Sequence, residues 1–295
     1  LQRAGTGVGT AADWGNALTY AKQVQSDGEY QLVSDYKSLF DFFGGTVNER
    51  NSEVIFTIQN IRAPGLGGRI SSHMAANGTT PNLGAVTNGS FEAESIWYHT
   101  FLPNDKRRDG TFILSWNKAG TTVTWDETKT ASQPYASETP FPRKFLDLQM
   151  TQTGAEEPDY IVLRYAEVLL MIAEAANEVG GGPTPEAYAA VNAIRSRAGI
   201  PNMTPGLSHD LFRDSVFNER RWELALEGPN GYFDSQRNWN WAKARVEESM
   251  KRFKSSSSSK FPKANNTPIP DKYKLMPIPQ RAIDLNKLLQ QNPGW

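Results

Sequence analysis

The sequence of 295 residues contains no cysteine. This absence excludes disulfide bonds, thiolate catalysis and cysteine-based zinc sites. Histidine is scarce too, with residues only at positions 73, 99 and 209. Neither an HExxH pair nor an EF-hand loop occurs. We therefore predict no metal site and no cofactor.

Excess charge and long apolar runs are also absent. Lys and Arg number 31 against 32 Asp and Glu, so the net charge offers no long-range attraction for nucleic acid or anionic lipid. The longest apolar run extends from Val168 to Ala173. That is far short of the roughly 20 residues that a membrane-spanning helix needs. We expect no nucleic-acid partner and no membrane-spanning helix.

Motifs for catalysis are missing as well. The sequence has no Gly-x-Ser-x-Gly elbow, no Walker loop and no Glu-x-x-His pair of the kind that di-iron helix bundles use. A glycosidase needs two carboxylates about 5–10 Å apart in a cleft, and no pair among the 32 acidic residues is marked out. We predict that the protein is not an enzyme, and a glycan-degrading enzyme is the weaker alternative.

The stretch from Asp159 to Gly180 is the strongest structural signal that is present. It is rich in Leu, Ala, Met and Glu, which all favour helices. We predict one helix with Asp159 as its N-cap and Gly180 at its end. Apolar residues surround most of its axis, so neighbouring helices should enclose it. Further helices are predicted at Asp13–Asp27, Pro185–Ala198, Ser208–Glu227 and residues 241–254.

Short strands and buried ion pairs complete the structural prediction. Alternating β-branched and aromatic residues predict strands at Val54–Ile58, Thr111–Trp116 and Thr121–Trp125. The glutamates of the predicted helices are expected to pair with arginines, because an unpaired buried charge is costly. The residues concerned are Glu167, Glu174, Glu219, Glu223 and Glu227 with Arg164, Arg195, Arg220 and Arg221.

Several motifs in a fixed order resemble those of the SusD/RagB family. The signature helix of that family is similar to the stretch Leu-Arg-Tyr-Ala-Glu-Val-Leu-Leu-Met-Ile-Ala-Glu-Ala. Other matches are Asn-Ser-Glu-Val-Ile-Phe from Asn51, Asp-Lys-Arg-Arg-Asp from Asp105, Asn-Glu-Arg-Arg-Trp-Glu-Leu-Ala-Leu-Glu-Gly from Asn218 and Leu-Met-Pro-Ile-Pro-Gln from Leu275. The segment Pro229-Asn-Gly231 departs from the pattern. The resemblance covers Asp13 to Trp295 and corresponds to the C-terminal portion of the family pattern.

The resemblance implies a mostly α-helical fold, with tetratricopeptide-like helical repeats, long loop-rich segments and a few short β-strands. We expect residues 1–295 to form a single domain of this kind that lacks its N-terminal part. Within it we distinguish a residual helical layer and strand, a ligand region, the repeat-like helices and C-terminal loops. Their bounds are residues 13–61, 62–150, 151–246 and 247–295.

In proteins of this family the ligand surface is built largely from loops outside the helical repeats. The irregular segment from Asn60 to Phe101 is therefore the expected ligand region. Trp97 and Tyr98 are the candidates for stacking on a sugar ring, and His73 and Asn77 are the polar candidates. The alternative for Trp97 is a core position beside Ile96 and Phe101. Trp116 and Trp125 are left open between core and surface.

The resemblance implies binding of an oligosaccharide at the surface of a Gram-negative outer membrane. The ligand then passes to a SusC-like TonB-dependent porin. Attachment to the membrane is expected only through a lipid anchor that this sequence does not contain. A RagB-like uptake protein that binds peptides and a helical-repeat adaptor between proteins are the alternatives.

Overall fold

The computed structural model describes most of the chain, and the description below is confined to that part. The described residues are 1, 3–5, 9–40, 51–76, 79–80, 87, 89–93, 95–118, 120–126, 128, 136–137, 139–147, 149–150, 152–227, 230–255 and 268–295. The chain divides into two compact units. The first contains Leu1 and Trp14–Gly228, and the second contains Gln2–Asp13 and Pro229–Trp295.

Helices and short strands alternate along the described residues. The helices are α1 Ala11–Asp27, α2 Ile70–Met74, α3 Ser95–His99, α4 Lys106–Thr111, α5 Tyr165–Gly180, α6 Pro185–Ala198, α7 His209–Glu223, α8 Asn230–Arg237, α9 Trp239–Ser255 and α10 Gln280–Leu285. The strands are β1 Val54–Ile58, β2 Thr79–Thr80, β3 Phe112–Ile113, β4 Ser115–Lys118, β5 Thr121–Trp125, β6 Ala136–Ser137, β7 Phe141–Pro142 and β8 Tyr160–Arg164. The mostly α-helical fold with a few short strands is confirmed.

The first unit is built around α5, which packs against α6 and α7. Leu170 in the middle of α5 is 0% exposed, and Leu169, Ile172 and Ala173 are buried with it. The predicted enclosure of this helix is therefore confirmed. Burial of so many aliphatic side chains supplies the main favourable term for folding of this layer.

The start of the central helix was predicted wrongly. The residues Tyr160–Arg164 form β8, which pairs antiparallel with β1, and α5 begins only at Tyr165. β-Branched Ile161 and Val162 favour this strand. Asp159 is not an N-cap, because its carboxylate accepts the backbone N–H of Asn60 at 2.9 Å.

The other two helices of this layer, α6 and α7, compare differently with the prediction. Thr184 caps α6, and Gly199 ends it in the left-handed conformation with φ 76°. The prediction for α6 is confirmed at both ends. The next helix, α7, ends at Glu223, four residues before the predicted end at Glu227, and Leu226 has a φ of 67°.

A small antiparallel hairpin follows α4. β4 pairs with β5 with Trp116 opposite Val123, and the sheet order is β2, β4, β5, β6. The hairpin turn has a φ of 85° at Gly120, whose N–H donates to the Asn117 side chain. The predicted strand Thr111–Trp116 is divided, because Thr111 ends α4 and the strands lie after it.

The second unit contains α8, α9, α10 and the C-terminal segment. The Trp295 indole donates to the carbonyls of Lys272 and Leu275, at 3.1 and 3.0 Å. The Lys272 ammonium lies 4.3 Å from the centroid of the Trp295 ring. These contacts fix the last residues of the chain within this unit. The predicted helix at residues 241–254 lies within α9.

Candidate functional site

A partly exposed group of aromatic rings lies where α3 meets the end of β5. We call Tyr98, His99 and Trp125 the aromatic surface. The Tyr98 and Trp125 ring centroids are 4.7 Å apart with an angle of 68° between the rings, and His99 is 5.7 Å from Trp125. His99 is exposed and the other two are half-buried. Such rings offer apolar area together with polar atoms.

A cationic side chain borders the aromatic surface. Arg108 of α4 has its guanidinium carbon 5.4 Å from the centroid of the Tyr98 ring, and its side chain is 27% exposed. The Nε atom of Arg108 makes no hydrogen bond to the described part of the chain. The carboxylate of Asp109 is 3.7 Å from that nitrogen, which is too long for a hydrogen bond. Because this nitrogen is buried, the accessible part of Arg108 beside the rings is the exposed remainder of its side chain.

A buried aromatic core lies beneath the aromatic surface. The Trp97 side chain is 8% exposed and contacts Phe112 and Phe101, with centroid distances of 4.7 and 5.7 Å. Tyr98 reaches the same core through Phe112 at 5.2 Å. Tyr98 therefore connects the core with the surface.

Helix α7 supports this core from the side of the helical layer. The Trp222 indole donates to the hydroxyl of Thr100 at 2.9 Å, and its ring lies 6.2 Å from that of Phe101. These contacts hold the turn that follows α3. The position of the aromatic surface is thus tied to the helical layer.

The four residues proposed from the sequence occupy different environments. Trp97 lies in the buried core, which is the alternative kept open for it, whereas Tyr98 belongs to the aromatic surface. His73 is half-buried on α2, within the segment from Asn60 to Phe101 that is expected from the sequence to bind the ligand. Asn77 lies outside the described residues. The structure therefore brings Trp97 and Tyr98 together on α3, and a ligand role for each of the four stays a prediction.

Sequence reasoning did not single out three residues of the site. His99 and Arg108 were noted only as parts of longer segments, and Trp125 was left open between core and surface. Side chains alternate between the two faces of β5, since Val123 is buried and Thr124 is exposed. This alternation is the sequence signal that bears on Trp125. Trp125 ends that strand, so the pattern alone does not fix the direction of its side chain.

The irregular segment before α3 is held in place by buried carboxylates. Glu156 accepts the backbone N–H groups of Ser71 and Ser72 at the start of α2, at 2.7 and 2.9 Å. Burial raises the pKa of Glu156, while the hydrogen bonds from Ser72 and Ser71 oppose that shift. Arg62 is bound to Asp147 at 3.2 Å. The contacts of Glu156 and Asp147 thus hold the segment in place.

A buried ion network connects the elements of the first unit. Its basic members are Arg107, Lys144, Arg164, Arg195 and Arg197, and its acidic members are Glu53, Asp105, Glu219, Glu223 and Glu227. Among the described residues the network has five members of each sign, and such pairing is needed because uncompensated charge is costly away from water.

Arg164 is the centre of the buried ion network. Its guanidinium contacts Glu53 at 2.6 Å, and Glu223 and Glu227 at 2.5 Å each. Burial disfavours the charged form, but these carboxylates raise the pKa of Arg164 well above its ordinary value. Conversely, burial alone would raise the pKa of Glu223, but Arg197, Arg164 and Arg107 lower it well below the ordinary range. Both groups are therefore charged at neutral pH.

Lys144 is a fully buried member of the network. Its ammonium donates to the Glu227 carboxylate at 2.6 Å and to the carbonyls of Glu223 and Ala225 at 3.1 and 2.9 Å. Burial lowers the pKa of Lys144 to about 8, although the charge of Glu227 opposes that shift. The amine therefore remains protonated at neutral pH.

The predicted pairing of helix glutamates with arginines is confirmed for the pairs that the structure records. Arg195 contacts Glu219 at 2.7 Å, and Arg220 lies 3.5 Å from Glu167. Within the described ranges, no group of three or more His, Asp or Glu side chains is arranged to hold a metal ion. These glutamates therefore have a structural role in the fold.

Acidification is expected to destabilise the protein as the pH falls below about 4.3, the ordinary pKa of glutamate. The folded-state pKa of Glu223 is lowered, so the unfolded state binds more protons in this range. The stabilisation is therefore complete above the ordinary pKa and is lost as the pH falls towards the folded-state value. Urea midpoints measured from neutral pH downwards test this expectation.

Two variants test whether Glu223 causes the loss of stability at low pH. Glu223→Gln removes the carboxylate, so its urea midpoint should vary less with pH than that of the wild type. Glu248→Gln changes an exposed glutamate of the second unit and should follow the wild-type curve. A wild-type pH dependence in the Glu223→Gln variant would contradict the assignment.

The fold and the site together define a class of protein. A buried helical layer carries irregular segments, and those segments present an aromatic surface with a cationic border. In the part of the chain that the structure covers, no helix has the length and apolar character to span a membrane. These features are typical of a helical scaffold that binds ligands through its loops.

The chain belongs to the SusD family, because the family model SusD_RagB matches residues 47–295. Two similar proteins come from Formosa agariphila. SusD-like protein P2 is 42% identical over 81 residues, which cover 25% of this chain and 16% of that protein. SusD-like protein P25 is 30% identical over 150 residues, which cover 50% of this chain and 26% of that protein.

Solved structures from Bacteroides thetaiotaomicron share the fold. A SusD homolog is 25% identical, with a TM-score of 0.78, and the match covers 100% of this chain and 61% of that one. Surface glycan-binding protein A, in complex with laminarihexaose, is 22% identical, with a TM-score of 0.65 and coverage of 96% and 60%. The chain thus spans about three fifths of these structures, and its matches span 16% and 26% of the two Formosa proteins.

Proposed function

We propose that this protein binds glycans, and that the aromatic surface is where a sugar ring packs. The observation that carries the proposal is the partly exposed group of Tyr98, His99 and Trp125 beside Arg108. The C–H groups of a sugar ring pack against aromatic rings, and imidazole and guanidinium groups bind its hydroxyls. Membership of the SusD family and the laminarihexaose complex of a structurally similar protein support this proposal.

Binding of this kind requires no covalent step. The rings supply contact area, and the polar groups at their edges orient the ligand by hydrogen bonds. We therefore propose a binding protein without a catalytic role or a cofactor. The carboxylates of Glu219 and Glu223 in the buried ion network are engaged with arginines, so they hold the fold and do not face a ligand.

The proposal extends to a partner and a location through the family. We propose that the protein works as a lipoprotein at the surface of a Gram-negative outer membrane. It delivers its glycan to a SusC-like TonB-dependent porin. Residues 1–295 are proposed as the C-terminal portion of one SusD-like domain, with residues 62–150 as its ligand region.

Removing two rings of the aromatic surface is expected to weaken glycan binding by at least about tenfold. Each ring contributes contact area and stacking that no neighbour replaces, and a tenfold loss corresponds to about 1.4 kcal/mol. The double variant Tyr98→Ala and Trp125→Ala is compared with wild type by isothermal titration calorimetry. The probes are laminarihexaose, maltohexaose and oligogalacturonides, since the natural glycan is unidentified.

The control is Tyr20→Ala, which removes an exposed aromatic ring of α1. It should bind glycans as the wild type does. Wild-type affinity in the double variant would remove the aromatic surface from the proposal. Peptide binding by the wild type without any glycan binding would favour the RagB-like alternative.

A further inference from the structure

We propose that the aromatic surface selects an acidic sugar, with Arg108 as the partner of its anionic group. The anionic group is a uronate carboxylate or a sulfate ester, because both present oxygens that a guanidinium binds in a forked arrangement. This inference rests on the proposed glycan binding and specifies which class of glycan the site takes.

The first argument is the contrast between two adjacent arginines of α4. Arg107 is fully buried, and its guanidinium contacts the carboxylates of Asp105, Glu219 and Glu223 at 2.7, 2.5 and 3.3 Å. Its charge is therefore already balanced by the protein. Among the described residues, the carboxylate recorded near Arg108 is that of Asp109 at 3.7 Å, and the Asp109 side chain is 78% exposed. An exposed pair at this distance contributes little, so Arg108 retains most of its capacity to bind an anion.

The second argument is the position of Arg108. Its side chain is 27% exposed and lies over the Tyr98 ring, 5.4 Å from the centroid. The contact with the ring holds the guanidinium beside the aromatic surface and limits its side-chain freedom. A sugar that packs on Tyr98 or Trp125 therefore brings its substituents next to a cation that is already oriented, which lowers the entropy lost on binding.

The third argument concerns the strength expected from such a contact. A hydrogen bond to a charged group is worth more than one between neutral groups, by enough to change affinity by about tenfold or more. An uncharged hydroxyl gains less from the same guanidinium. The site should therefore discriminate between an acidic sugar and its neutral counterpart.

The test uses matched probes in isothermal titration calorimetry. Tetragalacturonate is compared with its methyl ester, and a sulfated galactan oligosaccharide is compared with its desulfated form. The first pair tests recognition of a carboxylate, and the second pair tests recognition of a sulfate. The wild type should bind the acidic member of at least one pair about tenfold or more tightly, and the preference should shrink as salt concentration rises.

Three variants make the test specific. Arg108→Gln should bind the acidic and neutral members with equal affinity. Asp109→Asn removes the neighbouring negative charge and should bind the acidic member more tightly than the wild type does. Arg213→Gln changes an arginine of similar exposure on α7, 30%, that already contacts Asp210 at 3.1 Å. That control should keep the wild-type preference.

The outcomes separate this inference from the proposed function. Equal wild-type affinity for the acidic and neutral members of both pairs would overturn the inference while glycan binding stands. A wild-type preference for the acidic member in Arg108→Gln would overturn it as well, because a group other than Arg108 would then recognise the anion. If the protein bound an acidic peptide but none of the glycan probes, both the inference and the proposed glycan binding would be overturned.

Discussion

Replacing Arg164 with methionine is expected to lower the free energy of unfolding by about 3–5 kcal/mol. The methionine fills most of the volume but leaves Glu53, Glu223 and Glu227 without their shared cation. Those carboxylates are buried. Their mutual repulsion therefore increases when Arg164 is removed, because the protein interior screens charge poorly. The remaining cations, Arg197 among them, cannot balance all of them.

Urea denaturation measures this loss, with Arg213→Met as the matched control. Arg213 is a half-buried arginine of α7 beside the exposed Asp210, and its replacement should change stability by less than about 0.5 kcal/mol. Failure of the Arg164→Met variant to fold, beside a normally folded control, would agree with the expectation. Equal midpoints for the two variants would contradict it.

The buried ion network also explains why short motifs reveal the family. Glu53, Arg164 and Glu223 come from three separate motifs and meet in the folded chain. Removing the charge of one member leaves the buried charges of the others unbalanced, which is costly. The motifs therefore report the fold, and they carry no information on the ligand.

The ends of the helices were predictable where local capping chemistry decides them. Thr184 and Gly199 bound α6 through a side-chain hydrogen bond and a left-handed residue, and both were readable from the sequence. The start of α5 was not, because Tyr160–Arg164 gains its partner from β1, about a hundred residues earlier in the chain. Pairing between distant strands overrides the helical pattern that the central segment shows by itself.

Of the four site residues predicted from the sequence, the aromatic surface contains Tyr98, and a ligand role for all four stays a prediction. Tyr98 was identified from its own segment, whereas Trp125 reaches it from β5 across a hairpin. Arg108 lies inside a motif of the family, next to Arg107. The sequence did not distinguish the two, whereas in the structure Arg107 enters the buried ion network and Arg108 lies over the Tyr98 ring. Tertiary contacts of this kind are not encoded in the spacing of residues along one segment.

Replacing Trp97 with alanine is expected to lower the free energy of unfolding by about 3–5 kcal/mol, as for other large aromatic residues removed from a core. The indole is 8% exposed and packs against Phe101 and Phe112. Phe112 packs against both Trp97 and Tyr98, so the aromatic surface should lose support as well. Glycan affinity is then reduced indirectly, through disorder of α3.

The variants Trp97→Phe and Trp125→Ala separate this core role from direct contact with a ligand. Trp97→Phe keeps a ring in the core, so it should restore most of the stability and the glycan affinity. Trp125→Ala removes a half-buried ring of the aromatic surface, so it should reduce affinity with a much smaller change in the urea midpoint. A Trp97→Ala variant with a wild-type midpoint and no glycan affinity would instead show that the indole itself contacts the sugar, and the core role would have to be abandoned.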